Sequence, residues 1–122
     1  MPVSFEIADG VMALRMRGGY EPADIRAALH EGLALTEETP VRGLLFDVRA
    51  SEALEHRPTQ DVRDMARHLA ANAKLFGGRL ALVAVADYAY GLMRMGSILL
   101  EQAGVKTAVF RDEAAALRWL HE

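Results

Sequence analysis

Residues 77–103 read GGRLALVAVADYAYGLMRMGSILLEQA, and this stretch decides the fold. Residues 80–86 form a continuous apolar run without alternation, the pattern of a strand buried on both faces, as in a parallel sheet. Gly77-Gly78 ends whatever precedes the run. Asp87 is of a type that caps helices, and the sequence predicts it as the N-cap of a helix over 88–103. The unit is therefore a buried strand feeding a helix.

Working outward, the same alternation of element types recurs. Upstream, Val3, Phe5 and Ile7 alternate with Ser4 and Glu6. Met12, Leu14 and Met16 alternate with Arg15 and Arg17. Asp9-Gly10 between the two runs is a two-residue hairpin signal, so the first pair is antiparallel with one polar face. Pro22 and Asp24 suit the first turn of a helix, whose Ile25, Ala28, Leu29, Gly32 and Leu33 share one face. Residues 42–48 (RGLLFDV) form the next strand, followed by a polar connection. Thr59 is predicted to cap a second helix with Val62, Met65, Ala66, Leu69 and Ala73 on its buried side. Downstream, residues 106–110 form a short strand. Asp112 caps a final helix carrying Ala114, Leu117, Leu120 and Trp119. The order β-β-α-β-α-β-α-β-α argues for a mainly parallel, five-stranded mixed sheet with right-handed crossovers and an antiparallel N-terminal edge strand. The whole chain, 1–122, reads as a single domain.

Composition excludes several functions. Hydrophobic residues are 52% of the chain, enough to build a core. Net charge is −3, with both signs interleaved, which argues against nucleic-acid binding. The absence of cysteine removes disulfides, thiolate catalysis and Cys-based metal sites. No apolar run is long enough to span a bilayer, and the first ten residues lack a signal-peptide pattern, so a cytoplasmic location is expected. His30, His56, His68 and His121 show no helical ligand spacing. No metal and no cofactor is expected. His68, one turn after Asp64, is expected to pair with it on the solvent side.

The element order, the strand RLALVAVAD, the helix GLMRMGSILLEQAG and the ending VFRDEAAALRWL resemble the SpoIIAA-like family. These are small bacterial proteins related to STAS domains and, in fold, to CRAL-TRIO lipid-binding domains. The resemblance implies a right-handed superhelix of strand-helix units with strands in sequential order. It implies a regulatory, protein-binding role without a defined activity. Anti-sigma-factor antagonists of this kind carry a phosphorylatable serine in an Asp-Ser-Ser-Gly-like turn opening the second helix. Here the region reads FDVRASEALEHRPTQD, without paired serines or the glycine. Ser51 is the candidate phosphosite, outside the family's sequence context.

Two places draw attention. Ligands of open α/β sheets bind at the carboxyl ends of the strands, where Asp47, Arg49, Asp87 and Tyr90 are expected to form a rim. Asp47 is expected to pair with Arg49 or a nearby backbone N–H. A hydrolase using Asp47 and Asp87 ranks last. The helix after Asp87 is apolar over an unusually broad arc. It is either packed between two neighbours or presents Tyr88, Gly91, Leu92, Met95, Ile98 and Leu99 to a protein partner or a small apolar ligand. If all crossovers share one hand, the helices gather on one face. The other face, rimmed by Ser4, Glu6, Arg15 and Arg17, then needs cover from loops, a ligand or a second subunit. A non-enzymatic STAS-like module, a homodimer, is the leading expectation, and a carrier or sensor of an apolar, lipid-like molecule is the alternative.

Overall fold

Asp9 and Gly10 both take positive φ, 53° and 76°, the backbone that a two-residue hairpin turn requires. They fold β1 (Val3–Ala8) back onto β2 (Val11–Gly18), with Ala8 opposite Val11. The computed structural model describes residues 2–122. From β2 onward every pairing is parallel. β2 lies beside β3 (Gly43–Ser51), β3 beside β4 (Arg79–Val83) and β4 beside β5 (Lys106–Phe110), in the order β1-β2-β3-β4-β5. The crossovers are α1 (Pro22–Leu33), α2 (Thr59–Ala71) and α3 (Asp87–Gln102), and α4 (Glu113–Leu120) follows the last strand. The expected mixed α/β architecture is the observed one.

The main core lies between the sheet and α1, α2 and α3. Met12, Leu14 and Met16 of β2, Leu44, Phe46 and Val48 of β3, and Leu80 and Leu82 of β4 all point into it. The five residues predicted for the inner face of α1 are its five buried residues. Gly32 has a packing reason. A Cβ there would lie 2.5 Å from the Met12 sulfur and 3.3 Å from the Phe5 ring. On α2, Met65, Ala66 and Leu69 are buried and Val62 is only half-buried, while Ala73, predicted for the same stripe, falls past the helix end in the short 3-10 turn Ala73–Phe76.

The opposite face corrects the sequence reading. It is not left for a visitor. Val11, Ala13, Leu45, Ala81 and Val83 form a second core with Ala116 and Leu120 of α4, flanked by Phe110, Leu117 and Trp119. The handedness rule governs crossovers between parallel strands. α4 joins no further strand, so the rule leaves it free, and its apolar stripe takes it to the second face. It also follows that β2 has no polar face along its first half. Ala114, predicted for the inner stripe of α4, is exposed, and Ala116 takes its place.

Both ends of α4 are anchored. At its C-terminal end a Cβ on Gly43 would lie 2.6 Å from Leu120 Cδ2, so the glycine makes room for the leucine. The Arg79 guanidinium stacks 4.3 Å above the Trp119 ring, and its Nη2 donates to the Trp119 carbonyl at 2.7 Å. At its N-terminus the Asp112 carboxylate accepts from the Ala115 N–H at 2.8 Å, as predicted.

Two other caps differ from expectation. The N-caps of α2 and α3 are Pro58 and Ala86, so Thr59 and Asp87 are the first helical residues. β4 is paired with β3 and β5 only as far as Val83. The chain leaves the sheet there and turns into α3 early, leaving Val85 and Ala86 exposed. In the first turn Asp87 still sits favourably at the positive end of the helix.

Candidate functional site

α3 carries three kinds of side chain in three sectors. Ala89, Met93, Gly96 and Leu100 are buried, and Gly96 lies against α2, where a Cβ would stand 3.7 Å from Val62 Cγ1. Tyr90, Arg94, Ser97 and Glu101 form a narrow polar side. The remaining sector contains the six residues that the sequence singled out. Leu92 and Leu99 are half-buried at the edge of the main core, with Leu99 beside Arg63, Ala66, Arg67 and Ala70 of α2. Met95 is also half-buried. Tyr88 and Ile98 are 45% and 56% exposed, and Gly91 between them is open, with no atom within 4 Å of where a Cβ would stand. Val85, just before the helix, is also exposed, at 54%.

A second group lies at the carboxyl ends of β2 and β3, on the α4 side of the sheet. Arg15 and Asp47 are register partners on adjacent strands. Arg15 Nη1 donates to Asp47 Oδ2 at 2.7 Å and to Glu113 Oε1 at 2.5 Å. Arg49 donates to Asp47 from its backbone N–H at 3.0 Å, from Nε at 2.9 Å and from Nη2 at 2.9 Å. The same Nη2 reaches Glu113 at 2.9 Å. Burial pushes the Asp47 carboxyl up, but the Arg49 side chain and N–H, with Arg15, outweigh it and hold it below the usual carboxylate range. The hydrogen bond from Arg15 likewise holds Glu113 low, against a smaller opposing effect of burial. This network clamps the start of α4 to the sheet. The expected pairing of Asp47 with Arg49 and its backbone N–H is present. The parts played by Arg15 and Glu113 were missed. A separation of 98 residues leaves no local signal in the chain.

Asp87 and Tyr90 belong elsewhere. Arg111 donates to Asp87 at 3.0 Å and to the Val85 carbonyl at 2.7 Å, and it stacks 4.2 Å over the Tyr90 ring. Asp47 and Asp87 thus sit in separate ion pairs, and the cleft that Asp47 lines with Arg15, Arg17, Arg49 and Glu113 does not include Asp87. The four-residue rim read from the sequence divides into two.

Ser51 is the last residue of β3, with its hydroxyl 2.7 Å from the Tyr20 hydroxyl and accepting from the Ala53 N–H at 3.2 Å. Burial, only partly opposed by Ser51, raises the Tyr20 phenol above its ordinary range. Arg57 fastens this corner by donating to the Tyr20 carbonyl and pairing with Glu21 and Asp61. His68 does not pair with Asp64, which bonds Gln60 and Arg67 instead. It is half-buried in a cleft with Arg26 and His30 of α1. Burial, with the nearby Arg26, holds its imidazole below the usual value. Among the described residues no three His, Asp or Glu side chains converge as metal ligands, and no helix is long and apolar enough to cross a membrane.

One apolar cavity lies between α1, α2, α3 and the sheet, walled by Ile25, Phe46, Met65, Leu82 and Met93. Its volume is about 60 Å³. A cavity of roughly 150 Å³ is the size that takes up benzene. Leu92, Met95, Ile98 and Leu99 do not line it.

No protein-family model matches the chain, and no curated protein sequence matches it. Solved structures do. An uncharacterized protein of the DUF3478 family with a SpoIIAA-like fold, from Shewanella loihica PV-4, superposes with a TM-score of 0.61 at 18% identity, over 97% of this chain and 91% of that one. A variant of Moorella thermoacetica RsbS superposes with a TM-score of 0.60, also at 18% identity, over 99% and 96%. The fold is therefore SpoIIAA-like, as the sequence resemblance implied.

Proposed function

We propose that this chain is a STAS-like regulatory module that acts by docking protein on the outward side of α3, without chemistry of its own. The observation that carries this reading is the outward sector of α3, where Tyr88 and Ile98 are around half exposed and Gly91 between them is open, on a helix whose other apolar side is already committed to the core. Contiguous exposed apolar surface on a small domain marks an interaction site. The likeness in fold to an RsbS protein supports a regulatory role. The arrangement of acids supports the same reading. Asp47 and Glu113 are held ionised by two arginines and fix α4 in place, and acid/base work needs carboxyls whose proton affinities are driven apart. The carrier reading has less behind it, because the apolar cavity is too small for a lipid chain and the exposed residues of α3 lie outside it.

The test is a photo-cross-linking residue placed at Ile98, compared with one at the exposed Glu31 of α1, in cells that express the chain. Protein adducts should form at position 98 well above those at position 31. Equal or absent adducts at 98 would remove the docking reading.

A further inference from the structure

We infer that the occupant of the α3 surface is a second copy of this chain, packed antiparallel about a two-fold axis near Met95 and Ile98. The inference rests on the reading of α3 as the docking surface and names what sits there. Tyr88, Gly91, Met95, Ile98 and Gln102 follow one another at the alternating three- and four-residue spacing of a helix-pairing seam. Two positions flank that seam on each side. Arg94 and Glu101 lie on one side, seven residues apart, and Leu92 and Leu99 lie on the other.

The flanking charges fix the orientation. Arg94 and Glu101 are exposed, and among the described residues neither enters an ion pair. Two α3 helices packed parallel would set Arg94 of one copy against Leu99 of the other and leave the charge without a partner. Packed antiparallel, like flank meets like flank. Arg94 of each copy then faces Glu101 of the other, and Leu92 faces Leu99. The seam closes with Met95 of each copy against Ile98 of the other. All three contacts occur twice, which is the self-complementarity that a two-fold dimer requires. Gly91 fits the same arrangement. Nothing within the chain explains a glycine in mid-helix with open space above it, a choice that weakens the helix, and the missing side chain lets a second helix approach. A single pair of 16-residue helices buries modest area, so the dimer belongs to the weak, reversible class.

Sedimentation velocity of the purified full chain over a wide concentration range tests this. The native chain should reach dimer mass, and Ile98→Glu, at a site already 56% exposed, should stay monomeric with an unchanged circular dichroism spectrum. Arg94→Glu should weaken association about tenfold. Arg94→Glu combined with Glu101→Arg should restore it, because the two residues are too far apart on one helix to help each other within a chain. A native chain that is monomeric throughout, or a double variant no better than Arg94→Glu, overturns the inference. A monomer whose cross-linker at position 98 still captures a different protein overturns the dimer and leaves the docking reading standing. Absence of both self-association and adducts sinks the two together.

Discussion

Replacing Leu120 with alanine tests whether α4 is what seals the second face of the sheet. Leu120 is fully buried against Leu45, Ala81 and Val83 and sits directly over Gly43. The substitution removes three carbons from that site, worth about 2.4 kcal/mol at roughly 0.8 kcal/mol each. The hole cannot close easily, because Gly43, Ala81 and Ala116 around it have no length of side chain to fill it. A residual-cavity contribution brings the expected cost to about 3–4 kcal/mol, within the range for buried leucines. For a chain of this size that lowers the melting temperature by roughly 10–15 °C. The comparison variant is Ile98→Ala, where 56% of the residue is already exposed and less than about 1 kcal/mol is expected. Urea unfolding at neutral pH, with calorimetry alongside, measures both. If the two variants cost the same small amount, α4 is not a structural cover and the face beneath it is free in solution.

Stability should also fall on the acid side through the Arg15–Asp47–Arg49–Glu113 network. Both carboxyls are held below their ordinary range, so their contribution is complete above roughly pH 4–4.5 and is lost as pH falls through the folded-state values. Asp47→Asn should cost about 2 kcal/mol at pH 7 and flatten the acid limb of the urea midpoint plotted from pH 7 to 3. Curves that remain parallel would show that the network does not couple to folding. Alanine at Gly77 and at Gly78 should separate two kinds of glycine requirement. Both residues have positive φ, 93° and 78°, but a Cβ at 77 would lie 2.5 Å from the Arg42 carbonyl carbon while one at 78 meets nothing within 4 Å. Gly78→Ala should cost about 1–2 kcal/mol for the left-handed backbone, and Gly77→Ala clearly more, since backbone must move. Equal urea midpoints for the two would refute the close-approach argument.

The order of elements, the antiparallel first pair and the inward face of α1 were all readable in the chain. Each is a local property. Asp9-Gly10 is too short for anything but a hairpin, and Ile25, Ala28, Leu29, Gly32 and Leu33 form one stripe at helical spacing wherever the helix sits. The right-handed crossover then places three helices on one face without reference to side chains. The broad apolar arc of α3 was legible for the same reason, but periodicity left open whether it packs between two neighbours or faces outward; in the structure Tyr88, Gly91 and Ile98 are exposed while Leu92, Met95 and Leu99 are half-buried.

The tertiary structure alone decided what lies on the other face. A helix after the last strand escapes the crossover rule, and its side was set by the fit of Ala116 and Leu120 over Val11, Ala13, Leu45, Ala81 and Val83. Asp47 and Asp87 looked alike in the sequence, each an acid at a strand end. One is buried between Arg15 and Arg49, while the other is exposed and pairs with the exposed Arg111. Periodicity reports what neighbours along the chain share. Packing brings Arg15 to Glu113 across 98 residues, and which distant groups meet depends on how two faces fit, a matter that no local pattern encodes.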